Sequence, residues 1–300
     1  MKIQKVCASF LIGAMMLSLA ACSGSTKKIE SPADFEGAKI SVQTATSAHE
    51  SIQDMQDEGM NINVLPYEKV TQCFDDLALG RVDAVYVDSV VAGYYLAEDD
   101  TKYQKTWTSE TGEPIGVCLK KGNDDLKELI EGAIDTLYYD GTMAQLSEKH
   151  FGSAADVDGV RNVTEKPVLD LSKLKTLKDG TLTVGVEVGY PPMEYTDDAG
   201  LEYQGFDIDF AKALGEVLGV DIEFVNTAWD GIFAGLDKEQ YDVIISSVSI
   251  TPASTAARIF FIFMCFVLLS QFSPIIEIQS FHCTNRLEYL HSTPKTRLGQ

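Results

Sequence analysis

The chain has 300 residues, 45% hydrophobic and 23% charged, with a formal net charge of -21. This is an ordinary globular composition, long enough to build one large core or two smaller ones. The acidic balance excludes a nucleic-acid partner, because phosphate recognition needs a basic face.

Residues 1–21 read as an export signal: Lys2 and Lys5 supply the positive start, Val6 to Leu19 the apolar run, and Leu19-Ala20-Ala21 the small-residue approach to cleavage. The run is too short for a permanent membrane-spanning helix. With Cys22 it resembles a lipobox, so Cys22 is expected to become the lipidated first residue and to anchor the chain. A plain secretory signal with a chance cysteine is the competing reading. Residues 22–32 read as a polar tether. None of the six cysteines has CxxC or metal-ligand spacing, and Cys73 and Cys118 are expected to be buried thiols in a helix and a strand.

Over residues 33–118 strands and helices alternate. AKISVQT reads as a strand, with Thr46 or Ser47 capping a helix to about Glu58. NINVLPY is the next strand, and Glu68 to Leu79 a helix stopped by Gly80. DAVYVD reads as a buried strand, and Asp88 as the cap of the helix SVVAGYYLAE. This order predicts an α/β fold, an open mixed sheet with helices on both faces and ligands at the carboxyl ends of strands. PIGVCLKKG is a further strand. Over residues 119–151 two helices follow it, one capped by Asn123 with Leu126, Leu129, Ile130, Ala133, Ile134 and Leu137 on one face. The second is expected to open on a Thr142–Gln145 capping box.

Residues 152–177 have no sustained periodicity and read as a linker, with a short helix expected over 169–177. Residues 178–258 then give strand, aromatic loop, helix, strand, short helix, strand and a serine-rich loop. Beyond them, residues 259–300 hold only two acids, Glu277 and Glu288, in an otherwise acidic chain. This tail is read as anomalous, out-of-frame or foreign sequence, against a native membrane-associated segment as the alternative.

VGVEVGYPPMEY, GFDIDFAKAL, WDGIFAGL and YDVIISSVSITP, in that order, resemble the type 2 extracytoplasmic solute-binding proteins (periplasmic-binding-protein-like, family 3) of polar amino-acid ABC importers. DFEGAKISVQTATSAHESI, LALGRVDAVYVDSVVAGYYL and ELIEGAIDTLYYDGTMAQLSEKHFG resemble the other part of the same family. The resemblance implies two α/β lobes joined by two crossover strands. Residues 178–258 would be lobe 1, residues 33–118 lobe 2, and residues 119–151 helices returning to lobe 1. The family's order is inverted here, which a circular permutation explains; two truncated tandem domains are the rival. One crossover strand is expected to be missing, because the tail stands where it belongs.

Carried over residue by residue, the resemblance implies that Tyr190 and Trp229 stack on a ligand and Glu187 faces a basic group. Ser246, Ser247 and Ser249 would surround its carboxylate and amine, Thr46 and Ser47 would meet the carboxylate at a helix N-terminus, and Asp88 would take the α-ammonium. Each has a duller reading: the serines as a polar loop, Asp88 as a cap, Tyr190 as loop packing, Trp229 as core. Asp207 and Asp209 are assigned to capping and charge at a helix start. The family's carboxylate-clamping arginine is replaced by Ser254, and Arg258 would substitute if residues 253–258 were helical.

The implied function is a lipid-anchored monomeric receptor that captures a polar amino acid, cationic or neutral, outside the cytoplasm and hands it to the membrane subunits of an ABC importer. No cofactor, no metal and no catalytic residue are expected. The alternatives are a dehydratase-like enzyme of the same fold, a sensory domain, and a degenerate product that binds nothing.

Overall fold

The computed structural model describes residue 27, residues 29–251 and residues 258–270. The signal, Cys22 and Ser254 lie outside the described residues.

Strand β1 (Lys39–Gln43), helix α1 (Ser47–Asp57), β2 (Asn63–Tyr67), α2 (Val70–Ala78), β3 (Ala84–Asp88) and α3 (Ser89–Glu98) alternate along the chain. β1 lies parallel to both β2 and β3. A strand inside a parallel block is covered on both faces, which accounts for the apolar, wholly buried AVYVD of β3. Its side chains alternate between two cores. Ala84 and Tyr86 pack with Ile40, Ile52 and Phe35, whereas Val85 and Val87 pack with Phe74 and Val91. Thr46 caps α1 by accepting from the His49 amide at 3.2 Å. Asp88 stands at the cap position of α3 but makes no side-chain cap bond. The capping role expected of it is therefore corrected, since its carboxylate accepts from the Tyr190 hydroxyl at 2.7 Å instead.

The next strand, β4 (Trp107–Lys120), starts seven residues before the PIGVCLKKG run that signals it. Polar TSETGE hides that start, because the signal there is a hydrogen-bonded partner and not apolar patterning. Helices α4 (Asp124–Tyr139) and α5 (Thr142–Phe151) follow. Asn123 caps α4 by accepting from the Leu126 amide at 3.1 Å. All six apolar residues on its expected face are at most 3% exposed, and each contributes about 1–3 kcal/mol by leaving water. The capping box expected for α5 does not form. Thr142 is already inside the helix, its hydroxyl donating to Asp140 Oδ1 at 2.6 Å, and left-handed Gly141 takes the cap position. The helix expected over 169–177 is only a 3-10 turn, Leu171–Lys173. Leu169 instead lies against Gly132 of α4, where a Cβ would come within 2.4 Å of it.

Strand β5 (Thr181–Val186), the short pair β6 (Tyr195–Thr196) and β7 (Tyr203–Gln204), α6 (Phe206–Leu218), β8 (Asp221–Asn226), α7 (Trp229–Asp237) and β9 (Val243–Ile244) complete the second parallel block. α4 and α6 pack together on one face, and α7 covers the other with Tyr241. Cys73 and Cys118 are buried thiols in different clusters.

The last described strand, β10 (Arg258–Ser270), pairs antiparallel with β4 from Arg258↔Lys120 to Ser270↔Trp107. Its far end also pairs with β3, while the far end of β4 pairs with β9. One sheet results, in the order β2-β1-β3-β10-β4-β9-β5-β8. The expectation that one crossover strand is missing is corrected: two long strands connect the lobes. β10 is bonded to β4 along its length and to β3 over residues 268–270, so the apolar run IFFIFMCFVLL belongs to a strand at the centre of the sheet. Among the described residues no helix is long and apolar enough to cross a membrane.

Gly205 sets the join between the aromatic loop and α6, at φ 125° and ψ 177°, a region open essentially to glycine alone. A Cβ there would stand 2.2 Å from the Met193 carbonyl oxygen. Gly205→Ala is expected to cost about 2–5 kcal/mol of unfolding free energy. Urea denaturation measures it, and a loss below about 1 kcal/mol contradicts the assignment.

Candidate functional site

The carboxyl ends of β1 and β3 in one lobe and of β5 and β9 in the other open on a single cleft. Thr46 and Ser47 reach it from the start of α1, Asp88 from the end of β3, Glu187 and Tyr190 from the loop after β5. Trp229 opens α7, and Ser246, Ser247 and Ser249 follow β9. All nine residues singled out in the sequence thus line one space of about 460 Å³, part of it open to solvent.

The two lobes touch across this space. Tyr190 bonds to Asp88 at 2.7 Å, and the Gln43 amide donates to Glu187 Oε2 at 3.1 Å. Trp229 Nε1 donates to the Ala45 carbonyl at 2.9 Å, and the Ser47 and Ser249 hydroxyls meet at 3.2 Å. The Lys69 ammonium donates to the Val188 carbonyl at 3.1 Å. Every one of these bonds joins residues 43–88 to residues 187–249, so together they latch the lobes.

The serine loop is held from behind. Ser246 Oγ accepts from the Glu187 amide at 3.0 Å and donates to Glu194 Oε1 at 2.5 Å. Ser247 donates to Asp207 Oδ2 through its amide at 2.6 Å and its hydroxyl at 3.0 Å. Both hydroxyls are therefore engaged by protein carboxyl groups, and Ser249 is the serine whose hydroxyl meets the other lobe. The capping assignment of Asp207 is corrected, because it is fully buried and bonded to Ser247 and not to its own helix end. Asp209 does lie as surface charge, paired with Lys149 and His150 of α5. Arg258 opens strand β10 in extended backbone, so the helix that would have carried it into the site does not run through it.

Four residues of the site escape the sequence reading: Gln43, Glu113, Glu194 and Asp207. Glu194 and Asp207 stand inside YPPMEY and GFDIDF, and acids set among so many apolar residues are the available signal. Glu113 of β4 is 6% exposed and bonds to Ser47 and Ser249, while its Oε2 has no hydrogen-bond partner.

Burial dominates the electrostatics. It lifts Asp88 to about 7, helped by the charge of Glu113 and opposed by the Tyr190 hydroxyl. It lifts Glu187 likewise to about 7 against the Gln43 bond and the Lys69 charge. Glu113 is raised by burial despite its two serine bonds. A cleft with two buried acids on opposite walls, titrating near neutrality, suits a cationic guest. The hydroxyls and the free amides of the α1 N-terminus suit an anionic one beside it. Among the described residues no group of three His, Cys, Asp or Glu side chains is placed to hold a metal ion.

The L-cystine-binding protein TcyJ of Escherichia coli (strain K12) is 36% identical over 110 residues, 36% of this chain and 41% of that protein. The L-cystine-binding protein TcyA of Bacillus subtilis (strain 168) is 36% identical over 74 residues, 25% of this chain and 28% of that protein. The crystal structure of the ancestral amino acid-binding protein AncCDT-1, a precursor of cyclohexadienyl dehydratase, matches at 49% identity and a TM-score of 0.24, over 25% of this chain and 32% of that one. The chain thus matches about two-fifths or less of the length of these relatives. Residues 182–262 match the family model throughout β5 to β9 and into β10. That model describes the bacterial extracellular solute-binding proteins, family 3, and the segment is similar to them.

Proposed function

We propose that this protein is a receptor that closes two lobes on one amino acid carrying a cationic group and hands it to an ABC importer. The observation that carries the reading is the cleft itself, where nine residues from both lobes converge on one space. Asp88 would take the α-ammonium and Glu187 a second basic group, with Tyr190 and Trp229 as stacking faces. Ser47, Ser249 and the α1 amides would hold the carboxylate. The latch bonds between the lobes are the ones a ligand would replace, and only contacts made better in the closed state shift the lobes toward closure. The likeness to L-cystine-binding proteins supports an amino-acid ligand, and the paired acids favour arginine or lysine over an uncharged one. No covalent chemistry is needed.

The order of parts supports a circular permutation. β10 leaves the serine loop of lobe 1 and runs to lobe 2, while β4 leaves lobe 2 and returns to lobe 1. On this reading residues 178–258, which resemble the family's first part, would follow the segment that ordinarily comes second. Lipid on Cys22 would hold the receptor outside the cytoplasm at the importer's membrane.

Isothermal titration of the mature protein against arginine, lysine, glutamine and cystine tests the reading, and no binding to any at millimolar concentration overturns it. Asp88→Asn is expected to weaken binding tens- to thousands-fold, the range for removing one partner of a buried charge pair. Because Asp88 and Glu187 ionise at about 7, affinity for a cationic ligand should climb between pH 6 and pH 8. Each carboxylate that pairs with the ligand adds about tenfold, since only its deprotonated form attracts the cation. Flat affinity over that range removes both from the ligand. Cys22→Ala should move the protein from the detergent phase to the aqueous phase on partitioning; an unchanged distribution excludes the lipid anchor.

A further inference from the structure

Glu194 and Asp207 approach each other beneath the serine loop, the first 1% exposed and the second fully buried. Each spends one oxygen on a serine: Glu194 Oε1 accepts from Ser246, and Asp207 Oδ2 accepts twice from Ser247. The other oxygens, Glu194 Oε2 and Asp207 Oδ1, are buried and neither meets a donor from any other residue. After burial, each carboxyl group is the largest influence on the ionisation of the other. As two carboxylates they would be buried acceptors with no protein donor, with like charges added. A single proton between them satisfies both oxygens at once.

We propose that Glu194 and Asp207 are a positioning pair that shares one proton and thereby fixes the serine loop and the Glu187 backbone in the geometry the cleft uses. Glu194 keeps the proton and donates it to Asp207, which remains the anion that anchors Ser247. Burial first, then the Asp207 charge, raises Glu194 well above the usual carboxyl range, whereas Asp207 rises only to about 6 because three bonds favour its charged form. The surroundings reinforce this assignment. Glu187 is the further acid acting on Glu194, and Tyr190 feels the charge of Glu194 in turn. On the far side of the α6 start, Lys149 and His150 are engaged by Asp209, so they do not neutralise the pair. The loop needs such an anchor. Ser247 sits at φ 45°, left-handed backbone that a serine adopts only when its surroundings hold it there.

Infrared spectroscopy of the ligand-free protein tests this, so the result stands whether or not an amino acid binds. About two pH units above the Asp88 and Glu187 values, the wild type should still show the C=O stretch of a protonated buried carboxylic acid. Glu194→Gln keeps a donor for Asp207 and an acceptor for Ser246, so it should fold normally and lose that band. Asp207→Asn offers its amide to Glu194 and should also lose the band, by letting Glu194 ionise. A wild type without the band, or a band that survives Glu194→Gln, overturns the proposal. Thermal unfolding gives a second readout. A raised acid holds a proton that the unfolded chain releases, so wild-type stability should fall as pH climbs from the ordinary carboxyl range through the raised one. Glu194→Gln should flatten that part of the slope, and an identical slope in the variant also overturns the pair. For any amino acid the wild type binds, Glu194→Ala should lose about tenfold or more in affinity.

Discussion

The antiparallel pairing of β4 with β10 is the constraint on which the rest depends. Each strand is bonded to the other over most of its length and, at one end, to a different parallel block. Neither lobe has a second route to the other within the sheet, whose order places both strands at its centre. The separation and facing of the two cleft walls are therefore set by two strands. Register shifts between Ile262 and Met264 and between Val267 and Leu269 interrupt the ladder there. Irregularities of this kind bend and twist a strand pair locally, which is what a hinge between two rigid blocks requires.

Lobe architecture was largely legible in the sequence, for a physical reason. The elements that could be read, such as α4 with Asn123 at its cap and β3 with its buried AVYVD, carry their own apolar period and their own terminators. What could not be read depended on partners distant in the chain. Strand β4 begins at Trp107 and runs through TSETGE because β10 pairs with it there, and β10 itself looks like misplaced apolar sequence until its pairing with β4 and β3 is seen. The expected α5 capping box failed for a smaller reason, since Asp140 competes successfully for the Thr142 hydroxyl.

The site divides along the same line. The residues that face the cleft could be named because each stands at the carboxyl end of a strand or the first turn of a helix, positions that sequence pattern locates. The residues behind them could not. Glu113, Glu194 and Asp207 read as ordinary charges in polar loops or helix starts, and only burial converts them into supports. An acid's sequence neighbours do not reveal whether water reaches it.

That division explains how one cleft can hold so many acids without coming apart. Asp88 and Glu187 sit on opposite walls, each given a neutral hydrogen-bond donor, Tyr190 or Gln43, that comes from the other lobe. Closing the lobes thus supplies each wall's carboxylate with a partner even before a ligand adds its own charge. Glu194 and Asp207 lie on one wall, where no donor from the opposite lobe reaches their facing oxygens. A proton held between the two groups supplies that donor. The two solutions have different consequences: the cross-cleft bonds open when the lobes open, whereas a proton shared within lobe 1 persists through the motion. In the proposed receptor the serine loop would therefore keep its shape in both states, and a ligand would meet one wall already formed and close the other onto it.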